Sequence, residues 1–347
     1  MKKWLQLLLI ASLAVLVLAA CGGGGSDTET DEADDAETTE NEEATGDGDT
    51  YVVGATQIVE HPSLDAAYEG FQKALEDAGL TVEFDFQSAQ GDQNNVKTIS
   101  DNFVAANVDL IFANSTPSAL GALNATKDIP IVFTSVTDPV EAGLVEALDK
   151  PGDNITGVTD QHPEAIEKTV QFIDKYFEGA NVGLIYNAGE PNSVVQVEAV
   201  NEAAEGTSLT LTERTVSTSA EVQQAANSLA GDVDLFYIVT DNTVVSALDT
   251  VVGVANEQQI PLVVSEPDSL ARGGFATFGI DYYTIGYRAG EIAAEILTGE
   301  KAPNEIPVEY PPEIELIINK EAVELQGVEW NDEWDNEATI YEGGEEE

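Results

Sequence analysis

The sequence predicts an α/β protein of two similar lobes, each a doubly wound parallel sheet, joined by a hinge that the chain crosses more than once. Three observations predict it. Strand-like and helix-like runs alternate from Tyr51 onward, the order that builds strand–helix–strand units around a parallel sheet. The runs Val108–Ser115 and Ile129–Val136 are short, apolar and bounded by turn residues, as expected of strands covered on both faces. The scheme also recurs. Val108-Asp109-Leu110-Ile111-Phe112 matches Val233-Asp234-Leu235-Phe236-Tyr237, and Ile129-Pro130-Ile131-Val132 matches Ile260-Pro261-Leu262-Val263, each pair separated by one helical segment.

Taken in order, Tyr51–Gln57 reads as a buried strand. Leu64–Ala78 reads as a helix with Leu64, Ala67, Tyr68, Phe71, Leu75 and Ala78 on one face and Gly79 as its stop. Thr81–Ala89 is the next strand and Asn95–Ala106 the next helix; Val108–Ser115 and Ile129–Val136 complete the strands of the first half. In the second half Asn181–Asn187, Leu209–Val216, Val233–Thr240 and Ile260–Glu266 read as strands with helical patterns between them. The crossing between lobes falls near Asn154–Pro163, and a helix over Tyr283–Leu297 and a strand near Ile314–Ile318 follow Gly279. The expected division is residues 51–160 plus 281–302 for the first lobe, 161–280 plus 303–330 for the second, and an acidic tail over 331–347. Two lobes on a hinge can close on a ligand.

Before the folded part, Met1-Lys2-Lys3 is a short basic start and Leu5–Ala20 is almost wholly apolar. That run is short for a bilayer span, which takes about 20 residues. It ends in Leu18-Ala19-Ala20-Cys21 and is followed by Gly22-Gly23-Gly24-Gly25-Ser26. It resembles a bacterial lipoprotein signal peptide (residues 1–20) with its lipobox, which implies lipid on Cys21 and a protein held to the membrane on its outer face; an ordinary secretory signal with a chance cysteine is the alternative. Residues 22–50 hold twelve acids and almost no large apolar side chain. Such a segment cannot bury enough surface to offset its ordering entropy, so 21–50 is expected to be a disordered leash, ~100 Å long if fully stretched.

Charge excludes several function classes. The 347 residues carry 65 Asp and Glu against 13 Lys and Arg, a net charge of −52, which repels phosphate backbones and argues against nucleic-acid binding. One cysteine rules out a disulfide framework and thiolate zinc clusters, and two histidines cannot form a three-histidine metal site. Neither a metal nor a cofactor is expected. Self-repulsion among so many carboxylates should destabilise the compact state at low salt, which points to a saline or alkaline exterior.

In open α/β sheets ligands sit at the carboxyl ends of the strands, and six of those ends are polar here. They are Gln57 to Ser63 with His61 among them, Asn114-Ser115-Thr116-Pro117-Ser118, Ser135-Val136-Thr137-Asp138-Pro139, Asn187 to Ser193 with Asn192, Thr240-Asp241-Asn242-Thr243, and Ser265-Glu266-Pro267. Each also precedes a helix, where one such residue serves as an ordinary cap; capping does not require all six ends to be this polar. The hydroxyls and free N–H groups around Thr116 and Ser193 suit a carboxylate, and Asp241 or Glu266 suits an ammonium group. Together they fit a zwitterion. His61 stands as a ligand contact or as packing. His162 reads as structural.

Glu60-His61-Pro62-Ser63-Leu64-Asp65, Ala89-Gln90-Gly91-Asp92, Ser115-Thr116-Pro117, Val136-Thr137-Asp138-Pro139, Asn192-Ser193-Val194-Val195-Gln196 and Thr240-Asp241-Asn242-Thr243-Val244 resemble, in order, the ABC-transporter substrate-binding lipoproteins of tryptophan and tyrosine uptake, over Tyr51 to Gly327. The resemblance implies a type I periplasmic-binding fold, an aromatic amino acid as ligand, delivery to ABC permease subunits, and a monomer. It implies that Thr116 and Ser193 hold the carboxylate and Asp241 the amine. Phe133, Tyr186, Tyr237 and Tyr282 are aromatics near strand ends that serve the side-chain pocket or the core. A non-aromatic amino acid, purine or sugar on the same scaffold, or a ligand sensor, is the alternative. An enzyme is not expected: the chain has no Gly-x-Ser-x-Gly elbow, HExxH or phosphate-binding glycine loop.

Overall fold

A computed structural model describes residues 50–311 and 314–343. The expected signal segment, Cys21, the leash up to residue 49 and the last four residues lie outside the described residues. The first sheet is built from β1 (Thr50–Gln57), β2 (Thr81–Ser88), β3 (Leu110–Asn114), β4 (Ile131–Val136) and β5 (Ile155–Thr159) in the order β2-β1-β3-β4-β5, with every pairing parallel. Between its strands run α1 (Pro62–Asp77), α2 (Gln93–Ala106) and α3 (Thr116–Ala125). The central strands β3 and β4 are buried along their whole length, whereas edge strand β2 turns Glu83 and Asp85 to solvent on alternate positions. The apolar runs were legible because both faces of β3 and β4 are covered by helices.

The chain then enters the second sheet through α4 (Ala165–Tyr176), β6 (Asn181–Asn187), α5 (Pro191–Ala204), β7 (Thr210–Val216), α6 (Ser219–Leu229), β8 (Leu235–Ile238), α7 (Asn242–Ser246), α8 (Leu248–Gln258), β9 (Leu262–Val264), α9 (Pro267–Ala271) and β10 (Ala276–Gly279). It returns through α10 (Tyr282–Leu297) and finishes with β11 (Glu315–Asn319), α11 (Lys320–Leu325), α12 (Trp334–Glu337) and β12 (Thr339–Tyr341). The order is β12-β11-β10-β9-β8-β6-β7, parallel except for the antiparallel pair β10–β11.

Three passages therefore link the sheets: after β5, after β10 and before β11. Glu309, in the third, pairs alongside Val158 of β5, so two of the passages run side by side. Helix α10 packs on α1 as part of the first hydrophobic cluster, which also takes in Ile306 and Val308; residues 303–308, expected with the second lobe, pack with the first. The two helices approach so closely that a β-carbon at Gly286 would lie 1.9 Å from the Ala67 carbonyl oxygen, and one at Gly70 would lie 2.1 Å from that of Tyr283. Only glycine permits that approach.

The acidic tail expected over 331–347 is corrected for its described part. Trp334 is buried among Phe172, Tyr176 and Phe275, and β12 extends the second sheet beside β11. A few apolar residues in an acidic stretch suffice, because one fully buried tryptophan removes a large apolar area from water.

Candidate functional site

The carboxyl ends of both sheets face a narrow cavity of about 10 Å³, room for about one water molecule. The first lobe contributes His61, Ser63, Leu64 and Ser135; the second contributes Asn192, Thr240, Asp241, Asn242, Val245 and Glu266. Asp160 and Tyr282, from the first two passages between the lobes, complete it. Among the described residues no lysine or arginine lines it. Arg272, just behind Val245, spends its guanidinium on the Asp249 carboxylate and the Val245 carbonyl.

Local sequence explains the positions. Pro62 opens α1, and His61 before it has extended backbone and makes no capping bond, so its ring is free to enter the cavity. Ser135 stands at φ 57° where the β4–β5 register shifts, and Ser115 at φ 140°. Both are non-glycine residues in sparsely populated backbone regions, a strain that concentrates at ligand clamps. Ser135 Oγ donates to Asn114 Oδ1 at 2.7 Å, and the Asn114 amide donates to Gln57 Oε1 at 3.2 Å. Gln57 in turn donates to Asp65 at 2.7 Å. Gln57 thus braces the first lobe from behind the cavity.

Four buried carboxylates cluster on the second-lobe side and at the passages. Asp241 caps α7, accepting from Val244 N at 2.8 Å and from Asn187 N at 2.6 Å; burial, reinforced by the Glu190 carboxylate, raises its pKa. Glu190 accepts from the Asn242 amide at 2.6 Å and the Thr243 hydroxyl at 2.7 Å. Glu266 caps α9, accepts from the Ser269 hydroxyl, and takes a 2.8 Å bond from Ser63 Oγ across the cleft; burial raises its pKa also. Asp160 accepts from the Tyr282 hydroxyl at 2.8 Å, while burial pushes its carboxyl up to about 6.

His61 is neutral: burial lowers its pKa to about 4. Its Nε2 lies 3.5 Å from Asn242 Oδ1. The Glu190 carboxylate takes the Asn242 NH₂, so the amide must turn its oxygen to the histidine. That assigns the proton to Nε2 and leaves Nδ1 an acceptor.

Of the residues anticipated from the sequence, His61, Ser135, Asn192, Asp241, Asn242 and Glu266 share the cavity. The others do not line it. Ser115 caps α3 through Ser118 N; Thr116 is buried next to it with an unpartnered Oγ1; Pro117 begins the same helix. Thr137 and Asp138 line a separate, more open groove. Asn187 positions Asp241, and Ser193 is buried in α5. Ser63 and Thr240 stand in the polar strand ends, and Tyr282 among the aromatics, that the sequence offers; Leu64, Asp160 and Val245 were not anticipated at the site. Asp160 obeys the same strand-end rule as the rest, once Ile155–Thr159 is seen as a strand and not only as a crossing. Of the four aromatics, Tyr282 reaches the cavity, Phe133 and Tyr237 lie in the cores, and Tyr186 packs beside the second core with its hydroxyl on Glu213.

A polar cleft lined from both of two parallel-sheet lobes, with the chain passing between them three times, defines a two-lobed solute-binding protein of the type I periplasmic-binding fold. Residues 52–340 match the family described as ABC transporter substrate binding protein, and the chain belongs to that family, whose members bind transport substrates and are not enzymes. It is 42% identical, over 93% of its length and 91% of the relative's, to a tyrosine-binding protein of Clostridioides difficile (strain R20291). It superposes with TM-score 0.79 on an ABC domain from Streptococcus pneumonia in complex with L-Trp, at 32% identity over 84% of this chain and 100% of the other. A ligand-free, open substrate-binding protein with adhesive properties from Clostridium difficile is more similar in sequence, 38% over 85% of this chain and 100% of the other, yet superposes at only 0.62. Identity alone would reverse that order. The Ser63–Glu266 bond across the cleft agrees with a closed state.

Proposed function

We propose that the protein captures a free amino acid, of the aromatic class, between its lobes and delivers it to the permease of an ABC importer. The observation that carries this is a cleft rich in buried carboxylates and lacking any cation among its lining residues, which a ligand bearing positive charge complements. An ammonium group does so, with Asp241 on the second lobe as a counter-charge. The Tyr282 ring, Leu64 and Val245 supply apolar wall. The relatives' tyrosine and L-Trp support the aromatic class. Closure follows from differential affinity: a ligand that bonds both lobes binds the closed state better and shifts the population to it.

The same reading makes the chain a monomeric lipoprotein, anchored through lipid on Cys21 after removal of residues 1–20, facing the cell exterior on its acidic leash. No helix among the described residues is long and apolar enough to cross a membrane. High acidity fits a saline or alkaline habitat, and its melting temperature should climb with added NaCl.

The test is isothermal calorimetry of the purified protein against L-tyrosine, L-tryptophan, L-phenylalanine, aliphatic amino acids, hexoses and nucleosides. Saturable binding of an aromatic amino acid is expected. Binding of a sugar or nucleoside with no response to any amino acid would overturn the assignment.

A further inference from the structure

The cavity's hydroxyl donors are all spent on the protein itself. Ser63 Oγ donates to Glu266, Ser135 Oγ to Asn114, Thr240 Oγ1 to Gln196 and the Tyr282 hydroxyl to Asp160. What remains among the described residues of the lining is a set of acceptors. Asp160 Oδ1, His61 Nδ1 and Asn192 Oδ1 are each buried without a hydrogen-bond partner, although the nearby Thr137 hydroxyl also steadies the Asp160 carboxylate. Their identity as acceptors is held by their neighbours. Tyr282 occupies the other Asp160 oxygen. The Glu190–Asn242 pair sets the His61 tautomer. The Asn192 NH₂ donates to the Thr240 carbonyl at 3.0 Å, turning its oxygen the other way.

Buried unsatisfied acceptors are costly, and three of them among the residues lining one cavity call for a ligand that brings donors. A primary ammonium brings three N–H donors and the charge that Asp160 lacks. We propose that Asp160, His61 and Asn192 form an ammonium cradle, one acceptor each from the passage between the lobes, the first lobe and the second lobe, with Asp160 as its charged anchor. This rests on the amino-acid reading above and deepens it: one nitrogen touches all three moving parts, so the ammonium is the group whose binding closes the protein. The cradle selects primary amines. Asp241, whose two oxygens already accept from backbone N–H groups, acts as a field behind it.

The experiment is calorimetric titration with L-tyrosine and L-tryptophan, and with the N-methyl and N-acetyl derivatives of whichever binds, on the wild-type protein, Asp160→Asn and Tyr282→Phe. On the wild type, N-methylation should cost about tenfold in affinity and N-acetylation about a hundredfold or more. Asp160→Asn should lose about thirtyfold for the free amino acid while the thermal melt stays cooperative. It should also narrow the gap between free and N-acetylated ligand, which a merely structural role would not do. Tyr282→Phe, a positioning change that keeps the carboxylate, should lose less. An N-acetyl derivative that binds as tightly as its parent, or an unaltered gap in Asp160→Asn, overturns the cradle and leaves the amino-acid reading standing. A wild-type protein that binds no amino acid overturns both.

Discussion

The two faces of the cleft are built by the same strand-end rule but carry different chemistry. The first lobe presents His61, Ser63 and Ser135, all uncharged; the second presents Asp241 and Glu266 with Glu190 behind them, all buried carboxylates. Two acidic faces would repel each other on closing in a medium of reduced dielectric. One neutral and one acidic face avoid that, and the Ser63–Glu266 bond uses the difference directly. The charge that has to be matched from outside is confined to one side of the cleft and to Asp160, between the lobes.

That contrast can be broken in four ways, the largest effect first. Rigidity of the first lobe depends on the α1–α10 contact, so Gly286→Ala should destabilise by about 3 kcal/mol, since its β-carbon meets backbone that cannot yield. Gly253→Ala in α8 of the second lobe, where a β-carbon meets nothing within 4 Å, should instead stabilise by ~0.5–1 kcal/mol. Thermal melts of the two variants check both signs.

The second concerns pH. Asp160 has its carboxyl raised to about 6, so its favourable contribution is complete below the ordinary carboxylate value and is lost as pH rises through about 6. Ligand-free Asp160→Asn should therefore be more stable than wild type by ~2–3 kcal/mol at pH 7.5, with the gap closing towards pH 4. His61, lowered to about 4, works in the opposite direction, losing stability as pH falls from 6.5 towards 4, but it is common to both proteins. Tyr282, Asp241, Glu190, Glu266 and Asp268 are the other titratable groups near the site, and they too are common to both. Denaturant titrations across pH 4 to 8 would read the difference; parallel curves would show that Asp160 carries no burial penalty.

Third, Asp241→Asn should weaken amino-acid binding by about 1.5 kcal/mol, less than the Asp160 substitution, because its oxygens serve α7 and Asn187 first. Calorimetry of both variants against one ligand ranks the anchor and the field. Fourth, Ser63→Ala removes the cross-cleft bond and should cost ~1 kcal/mol of closure, seen as a few-fold loss of affinity with little change in melting temperature. Glu266 keeps its Ser269 partners, so no bare carboxylate is left.

Much of the architecture was legible in the sequence. Strands β3 and β4 announced themselves as short apolar runs because helices cover both their faces, and the matching Val-Asp-Leu and Ile-Pro stretches betrayed the second lobe. Residues 331–343 were misread since acids dominate their composition while Trp334 and Ile340 do the packing. At the site, His61, Ser135, Asn192, Asp241, Asn242 and Glu266 were found from strand ends. Thr116, Pro117, Thr137 and Ser193 sit at equally polar ends without reaching the cavity, because strand-end position sets the layer a residue occupies and not the direction in which its side chain points.

The order of residues by itself determined the class of fold, the paired lobes, the excess of acid and the ring of polar loops, because each of these follows from local periodicity and composition. Which loops meet, which hydroxyls are already engaged, and which three acceptors around one cavity are left without partners were decided only by the tertiary structure. Residues as far apart as His61, Asp160 and Asn192 become one site through the crossing of the chain between lobes. A hydrogen bond's availability depends on who else has claimed it, and that is a property of neighbours in space.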